Sequence, residues 1–111
     1  MSLRVQDAVQ LTRKSAAASR LLTALANESR LAILCELVDG ERAVGDLVEA
    51  VGLSQSALSQ HLAKLRAAGI VATRREAQTI YYRLVSEPAG LVMQTLAEIY
   101  CRPRGRRKRP H

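Results

Sequence analysis

The side chains of this 111-residue chain that could take part in covalent or metal chemistry include two thiols and one imidazole: Cys35, Cys101 and His61. A thiolate can attack an electrophilic sulfur, and a second thiol can then resolve the product. Cys35 also lies in an apolar helical pattern, where a free cysteine often serves as a small core residue. His61 is the only histidine before the last residue of the chain, and a single histidine makes a weak metal site.

The motifs of common enzyme classes are missing from the sequence. No glycine-rich phosphate loop and no nucleophile elbow occurs. A pairing of Cys35 as nucleophile with His61 as base is disfavoured, because Cys35 belongs to an apolar stripe. We therefore predict that the chain is not an enzyme and needs no cofactor.

A helical stretch, LSQSALSQHLAKLRAAGIV over residues 53–71, has a polar face of unusual composition. Leu58, Leu62 and Leu65 share one side at helical spacing. No aspartate or glutamate occurs between residues 54 and 68, so no acid there would repel phosphate. Serine hydroxyls can bond to bases or phosphates, and glutamine can pair with adenine through two bonds. The candidate DNA contacts are Ser54, Gln55, Ser56, Ser59, Gln60 and His61, with Lys64 further along the helix.

The elements that must position these residues follow from the apolar periodicity. Residues 6–25 predict a first helix. Asn27 is suited to cap a second helix, ESRLAILCELV, because its side chain can accept from the first turn. The apolar stripe predicted for this helix consists of Leu31, Leu34, Cys35 and Val38.

A helix-turn-helix pattern occupies the middle of the chain. The third helix, AVGDLVEAV, stops at Gly52, and the fourth runs from a Ser54 cap to about Ala68, closed by Gly69. Two helices joined by so short a turn are typical of DNA-binding domains. In such domains the second helix enters the major groove.

The period then changes from helix to strand. Residues 70–75 and 79–85 predict a β-hairpin, and a last helix begins with Pro88 in its first turn and ends near Cys101. The predicted fold is mainly α with a β-hairpin wing, a winged helix-turn-helix in which four helices are followed by two strands and a fifth helix. Near the tip of the wing the candidate DNA contacts are Arg74, Arg75, Gln78 and Thr79.

The positive charge of the chain is concentrated at its end. The net charge is +7, and removing the six basic residues of RPRGRRKRPH leaves +1 for residues 1–101. We predict a winged helix-turn-helix domain over residues 1–101 and a disordered basic tail over residues 102–111. The tail either keeps the protein soluble or adds affinity for a polyanion.

Composition also limits the class and location of the protein. With no Trp and no Phe, the core must be aliphatic, and a second copy could complete it. No apolar run reaches the roughly 18 residues of a membrane span, and no secretory signal opens the chain. These features predict a cytoplasmic protein without a membrane partner.

The sequence resembles the ArsR/SmtB family of bacterial winged-helix repressors over residues 20–101. The segment SQSALSQHLAKLRAAGIV, followed by RREAQTIYYRL, carries the resemblance most specifically. The resemblance implies a homodimer packed through its first and last helices. It also implies repression by binding a double-stranded DNA operator, an imperfect inverted repeat, until an inducer arrives.

The chain departs from the metal-sensing members of that family. Their paired cysteines would fall on Ala43 and Gly45, and their last-helix ligands have no counterpart in AGLVMQTLAEIYC. Cys35 and Cys101 are instead similar to the cysteines of the persulfide-responsive branch, the BigR and SqrR type. That resemblance implies that reactive sulfur species or an oxidant join Cys35 to Cys101 and lower DNA affinity.

Two other interpretations of the same residues remain open at this stage. The chain could be a metal-responsive regulator with an atypical site made from Cys35, Cys101 and His61. It could also be a non-sensing architectural DNA-binding protein that uses its basic tail for general affinity.

Overall fold

A computed structural model describes residues 3–101, and the predicted tail at residues 102–111 lies outside the described residues. The elements in chain order are α1 (Val5–Arg13), α2 (Ser15–Leu25), α3 (Glu28–Leu37), β1 (Arg42–Ala43), α4 (Val44–Val51), α5 (Gln55–Ala67), β2 (Val71–Glu76), β3 (Thr79–Leu84) and α6 (Glu87–Tyr100). Helices dominate, and β2 and β3 form an antiparallel hairpin directly after α5. The predicted winged helix-turn-helix fold is therefore confirmed.

The helix predicted over residues 6–25 is broken into two, so that prediction of one continuous helix was wrong. Lys14 leaves the helical region with φ −108° and ψ 21°, and α2 begins at the next residue. The Ser15 hydroxyl donates to the carbonyl oxygens of Leu11 and Thr12, at 3.2 and 2.8 Å. Serine side chains that bond back to the preceding turn compete with the helical ladder and bend helices.

The sequence pattern did not reveal β1, a strand of two residues. Arg42 pairs with Tyr82 and Ala43 with Tyr81, which makes a three-stranded sheet in the order β1-β3-β2. Two residues are too few to show a period of two. The strand matters because α4, the first helix of the helix-turn-helix, begins directly after it.

An aliphatic core, as predicted, holds the helices together. Its buried members are Leu25, Ile33, Leu34, Leu37, Leu47, Leu58, Leu62, Leu65, Ile70, Val71, Ala89 and Met93. The stripe predicted for α3 was partly wrong: Cys35 and Val38 are exposed, while Ile33 and Leu37 are buried. Because α3 carries apolar residues on most of its circumference, spacing alone did not select the buried side.

Capping side chains fix where three helices begin. Asn27 accepts a hydrogen bond from the Arg30 amide at 3.0 Å, Ser54 from the Ala57 amide at 3.1 Å, and Ser86 from the Ala89 amide at 3.1 Å. Each cap satisfies one of the free amides that open a helix.

No helix within residues 3–101 has the length and apolar character that crossing a membrane requires.

Leu58→Ala should destabilise the fold by about 2–5 kcal/mol, because it leaves a cavity under α5. Ser59→Ala is the matched control: its side chain is exposed, so it should change stability by less than about 0.5 kcal/mol. Urea unfolding followed by circular dichroism measures both. Equal effects of the two variants would contradict this packing of α5.

Candidate nucleic-acid interface and thiol site

The α4–α5 turn fixes where the predicted DNA-contacting helix begins. Three residues, Gly52 to Ser54, join the two helices. Gly52 adopts φ +78°, a left-handed conformation that suits glycine and ends α4. Leu53 packs against the core, and the Ser54 hydroxyl caps α5. The N-terminus of α5 is thereby held at the surface with its polar side outward.

The predicted polar face of α5 is open to solvent. Leu58, Leu62 and Leu65 are each no more than 1% exposed, and helical geometry turns the other side outward. Five predicted contacts are exposed there, and none makes a side-chain hydrogen bond within residues 3–101: Gln55, Ser56, Ser59, Gln60 and Lys64. Their donors and acceptors are free to bond to another molecule.

His61 is placed differently from the other predicted contacts. Its ring is half-buried, and its Nδ1 lies 3.4 Å from Nη1 of Arg30 on α3. Because a guanidinium only donates, Nδ1 is the acceptor in this contact. His61 therefore lies against α3 at the flank of the polar face.

Arg30 is a residue that the sequence reasoning missed. Its guanidinium also donates to the carbonyl oxygens of Ala24 and Thr23, at 2.6 and 3.2 Å. These bonds join the C-terminal end of α2 to α3, and the contact with His61 extends the connection to α5. No local pattern could have revealed it, because His61 lies 31 residues further along the chain.

The tip of the wing lies close to the start of α5. Gln55, Gln78 and Thr79 line one cleft of about 380 Å³, together with Asp46 from the first turn of α4. The hairpin turn consists of Ala77, at φ +57°, and Gln78, between the paired residues Glu76 and Thr79. The structure thus brings two of the predicted wing contacts, Gln78 and Thr79, to the same cleft as one predicted helix contact, Gln55.

The two wing arginines that were predicted as DNA contacts differ in their surroundings. Arg75 is exposed and forms no ion pair within residues 3–101. Arg74 lies beside it in sequence but forms ion pairs with Glu41 and Glu76, at 2.6 and 2.8 Å. Of the predicted contacts, Arg74 is the one whose charge is already bound to carboxylates.

The two cysteines line one small cavity between α3 and the end of α6. The cavity measures about 210 Å³, and its other walls are apolar: Leu31, Met93, Leu96, Ala97 and Tyr100. Both thiols are free and exposed. Cys35 is therefore not a core residue, and two elements far apart in sequence line one cavity.

The surroundings of the cavity change the acidity of Cys35. Partial burial against the apolar walls raises the pKa of its thiol, and the negative charges of Cys101 and Glu36 raise it further. A raised pKa lowers the fraction of reactive thiolate at neutral pH.

Within residues 3–101, no group of three or more His, Cys, Asp or Glu side chains could hold a metal ion.

Alkylation of Cys35 should reflect this raised pKa. In a Cys101→Ser variant Cys35 is the sole thiol, and burial, the largest cause, still acts on it. Its alkylation rate should keep rising with pH beyond 9.0, the ordinary value for a thiol. The same variant in denaturant is the control, and its midpoint should return to the ordinary value. A folded midpoint at or below that value would contradict the partial burial of the thiol.

The sequence matches a known protein family across its central helices. Residues 27–73, from the cap of α3 into β2, match the family described as "Bacterial regulatory protein, arsR family". Transcriptional activator HlyU of Vibrio cholerae serotype O1 is 51% identical over 92 residues, which are 83% of this chain and 85% of that protein.

Solved structures show the same likeness in three dimensions. Reduced HlyU from Vibrio cholerae has a TM-score of 0.79 at 50% identity, covering 84% of this chain and 98% of that one. The transcriptional repressor BigR from Xylella fastidiosa has a TM-score of 0.82 at 36% identity, covering 91% and 100%. These relatives are regulators, which confirms the prediction that the chain is not an enzyme. The fold, the exposed polar helix and these similarities together show that this chain belongs to the arsR family of bacterial transcription regulators.

Proposed function

We propose that this chain represses transcription as a homodimer bound to an imperfect inverted repeat of double-stranded DNA, and that linking Cys35 to Cys101 releases it. The observation that carries the regulatory half is the shared cavity of the two thiols. HlyU is named an activator and BigR a repressor, and we assign repression on the likeness to BigR, whose structure matches this chain with a TM-score of 0.82. The site of action is the cytoplasm, where bacterial DNA lies.

The open polar surface supports DNA as the partner. Acid-free helix faces of hydroxyls and amides suit the major groove, where base edges present donors and acceptors. In the proposal, α5 contributes Ser54, Gln55, Ser56, Ser59, Gln60 and Lys64, and the wing contributes Arg75, Gln78 and Thr79. His61 contributes from the flank of α5.

Exposed apolar side chains support the homodimer. Val5 and Val9 on α1, and Leu91, Ile99 and Tyr100 on α6, are all exposed in the single chain. Apolar surface of this kind marks protein interfaces. A two-fold dimer through α1 and α6 would cover it and would present two copies of α5 about one DNA turn, roughly 34 Å, apart.

The proposed thiol chemistry uses a persulfide, RSSH, as the oxidant. One cysteine thiolate attacks the terminal sulfur of RSSH, which forms a cysteine persulfide and releases RSH. The second thiol attacks the inner sulfur of that persulfide and releases H₂S. Two thiols and one RSSH thus give one disulfide, one RSH and one H₂S. Each further sulfur in the bridge consumes one more RSSH and releases one more RSH.

The link would act on DNA through the positions of its two helices. Cys35 lies on α3, whose other side packs in the core, and Cys101 follows α6 beside exposed apolar side chains. A bridge would tie α6 to α3 and alter how the two protomers meet. A coupling of about 1–3 kcal/mol suffices, because it weakens operator binding by about 5–150-fold.

Base readout by α5 can be tested on a duplex selected from a randomised library by the wild-type protein, called the selected duplex below. Gln60→Ala should lose about 1–3 kcal/mol of discrimination between the selected duplex and a random one. Lys64→Gln, the matched control on the same helix, should weaken binding to both duplexes alike. If Gln60→Ala weakens both duplexes equally, α5 does not read bases through this side chain.

The thiol switch can be tested by treating the reduced protein with an inorganic polysulfide and measuring affinity for the selected duplex. The wild type should lose affinity by about 5–150-fold, whereas Cys35→Ser and Cys101→Ser should keep it. Mass spectrometry of the treated wild type should show a bridge within one chain, and its mass counts the sulfurs. If either variant loses affinity as fully as the wild type, the switch does not depend on this pair.

A further inference from the structure

Arg74 of β2 is held by Glu41, which lies between α3 and β1. Nε of Arg74 lies 2.9 and 3.0 Å from the two carboxylate oxygens of Glu41, and Nη2 lies 2.6 Å from Oε1. Two nitrogens of the guanidinium thus contact one carboxylate, an arrangement that adds geometric specificity to the ion pair. Nη1 is also occupied, 2.8 Å from Oε1 of Glu76.

An aromatic ring also contacts the guanidinium of Arg74. The guanidinium carbon of Arg74 lies 4.4 Å from the ring centre of Tyr81, its pairing partner on β3. Tyr81 in turn pairs with Ala43 of β1. The side chain of Arg74 therefore crosses one face of the sheet, from β2 over β3 to the residue just before β1.

This contact joins the wing to the helix-turn-helix. β1 leads without a break into α4, and Nε of Arg42 donates to the carbonyl oxygen of Glu36 at 3.0 Å. Glu41 is therefore fixed between the end of α3 and the start of α4. Holding Arg74 against it fixes the β-hairpin relative to both helices.

We propose that Arg74 is a positioning residue that sets the angle of the wing through Glu41, and that it is not a phosphate contact. This inference rests on the proposed DNA-binding function and replaces the role that sequence alone predicted for Arg74. A phosphate that engaged Arg74 would have to displace two carboxylates already bound to it. Arg75 has no such competitor within residues 3–101 and, of the two arginines predicted as wing contacts, is the one available to phosphate.

The charges of the pair support this role. The hydrogen bond from Arg74 lowers the pKa of Glu41, and the hydrogen bonds from Glu41 and Glu76 raise the pKa of Arg74. Both members are therefore charged at neutral pH, where the protein would bind DNA. The side chains are partly exposed, at 44% for Arg74 and 31% for Glu41, so substituting them should not unfold the core.

A phosphate-contacting Arg74 and a positioning Arg74 predict opposite effects of Glu41→Gln on DNA affinity. This variant therefore distinguishes the two roles. Removing an acid near DNA and freeing a phosphate-binding arginine would tighten binding. Loosening a wing support should instead weaken binding to the selected duplex by about two- to fivefold, the range of an exposed ion pair. Arg74→Gln should weaken it by a similar factor, and the double variant should be no weaker than either single one.

Salt dependence and charge exchange complete the experiment. Arg74→Gln should leave the slope of log affinity against log salt unchanged, whereas the matched control Arg75→Gln should reduce it by about 0.9, the value for one phosphate contact. Exchanging the charges, Glu41→Arg with Arg74→Glu, should restore affinity to within about twofold of the wild type. Melting temperatures of all variants check that the fold is intact.

Three results would overturn the inference. They are tighter binding by Glu41→Gln, a salt slope reduced as much by Arg74→Gln as by Arg75→Gln, and no recovery on charge exchange. Failure of the proposed function would look different, because the wild type would then enrich no duplex from the library. That outcome would remove the inference together with the function on which it rests.

Discussion

The burial of Leu58, Leu62 and Leu65 on one side of α5 is the constraint on which the rest of this structure depends. These side chains are excluded from solvent, so helical geometry leaves the serines and glutamines of the other side no place but the surface. The same burial positions the wing. The Ile70 amide donates to the Leu65 carbonyl at 2.9 Å, and Gly69 turns the chain with φ +75°. A core contact therefore sets both parts of the proposed DNA-facing surface at once.

The helix α3 connects the functional parts of the chain. Arg30 in its first turn contacts His61 of α5, and Cys35 near its end lines the thiol cavity. The next residue, Glu36, holds Arg42 of β1 through its carbonyl oxygen. Under the proposed function, a link made at Cys35 forms on a helix that contacts α5 through Arg30, lines the thiol cavity and holds Arg42 of β1.

Sequence patterns predicted most of the fold because its elements are set locally. The caps at Asn27 and Ser54, the stop at Gly52 and the hairpin alternation each involve neighbouring residues, and the structure has them where the patterns place them. The break at Lys14 depends on how the Ser15 hydroxyl turns, which residue type alone does not decide. The contacts of Arg30 with His61 and of Arg74 with Glu41 span 31 and 33 residues. Such pairs arise from packing, and no spacing rule identifies them.

The site itself was predictable in its polar face and less so in its thiols. Periodicity alone favoured a core position for Cys35. The side chain of Cys35 is exposed in the structure, which excludes that interpretation. Under the proposed function, the location of Cys101 at the end of α6 suits it to regulation. Tyr100, 79% exposed, lies beside Cys101 and also lines the cavity, so one short segment carries both a reactive group and apolar surface for a partner. In a two-fold dimer any shift of that segment occurs twice, once in each protomer. Under the proposed function, two copies of α5 that fit successive major grooves of a stiff duplex would respond to the sum of both shifts, so a small local link would be enough to change DNA affinity.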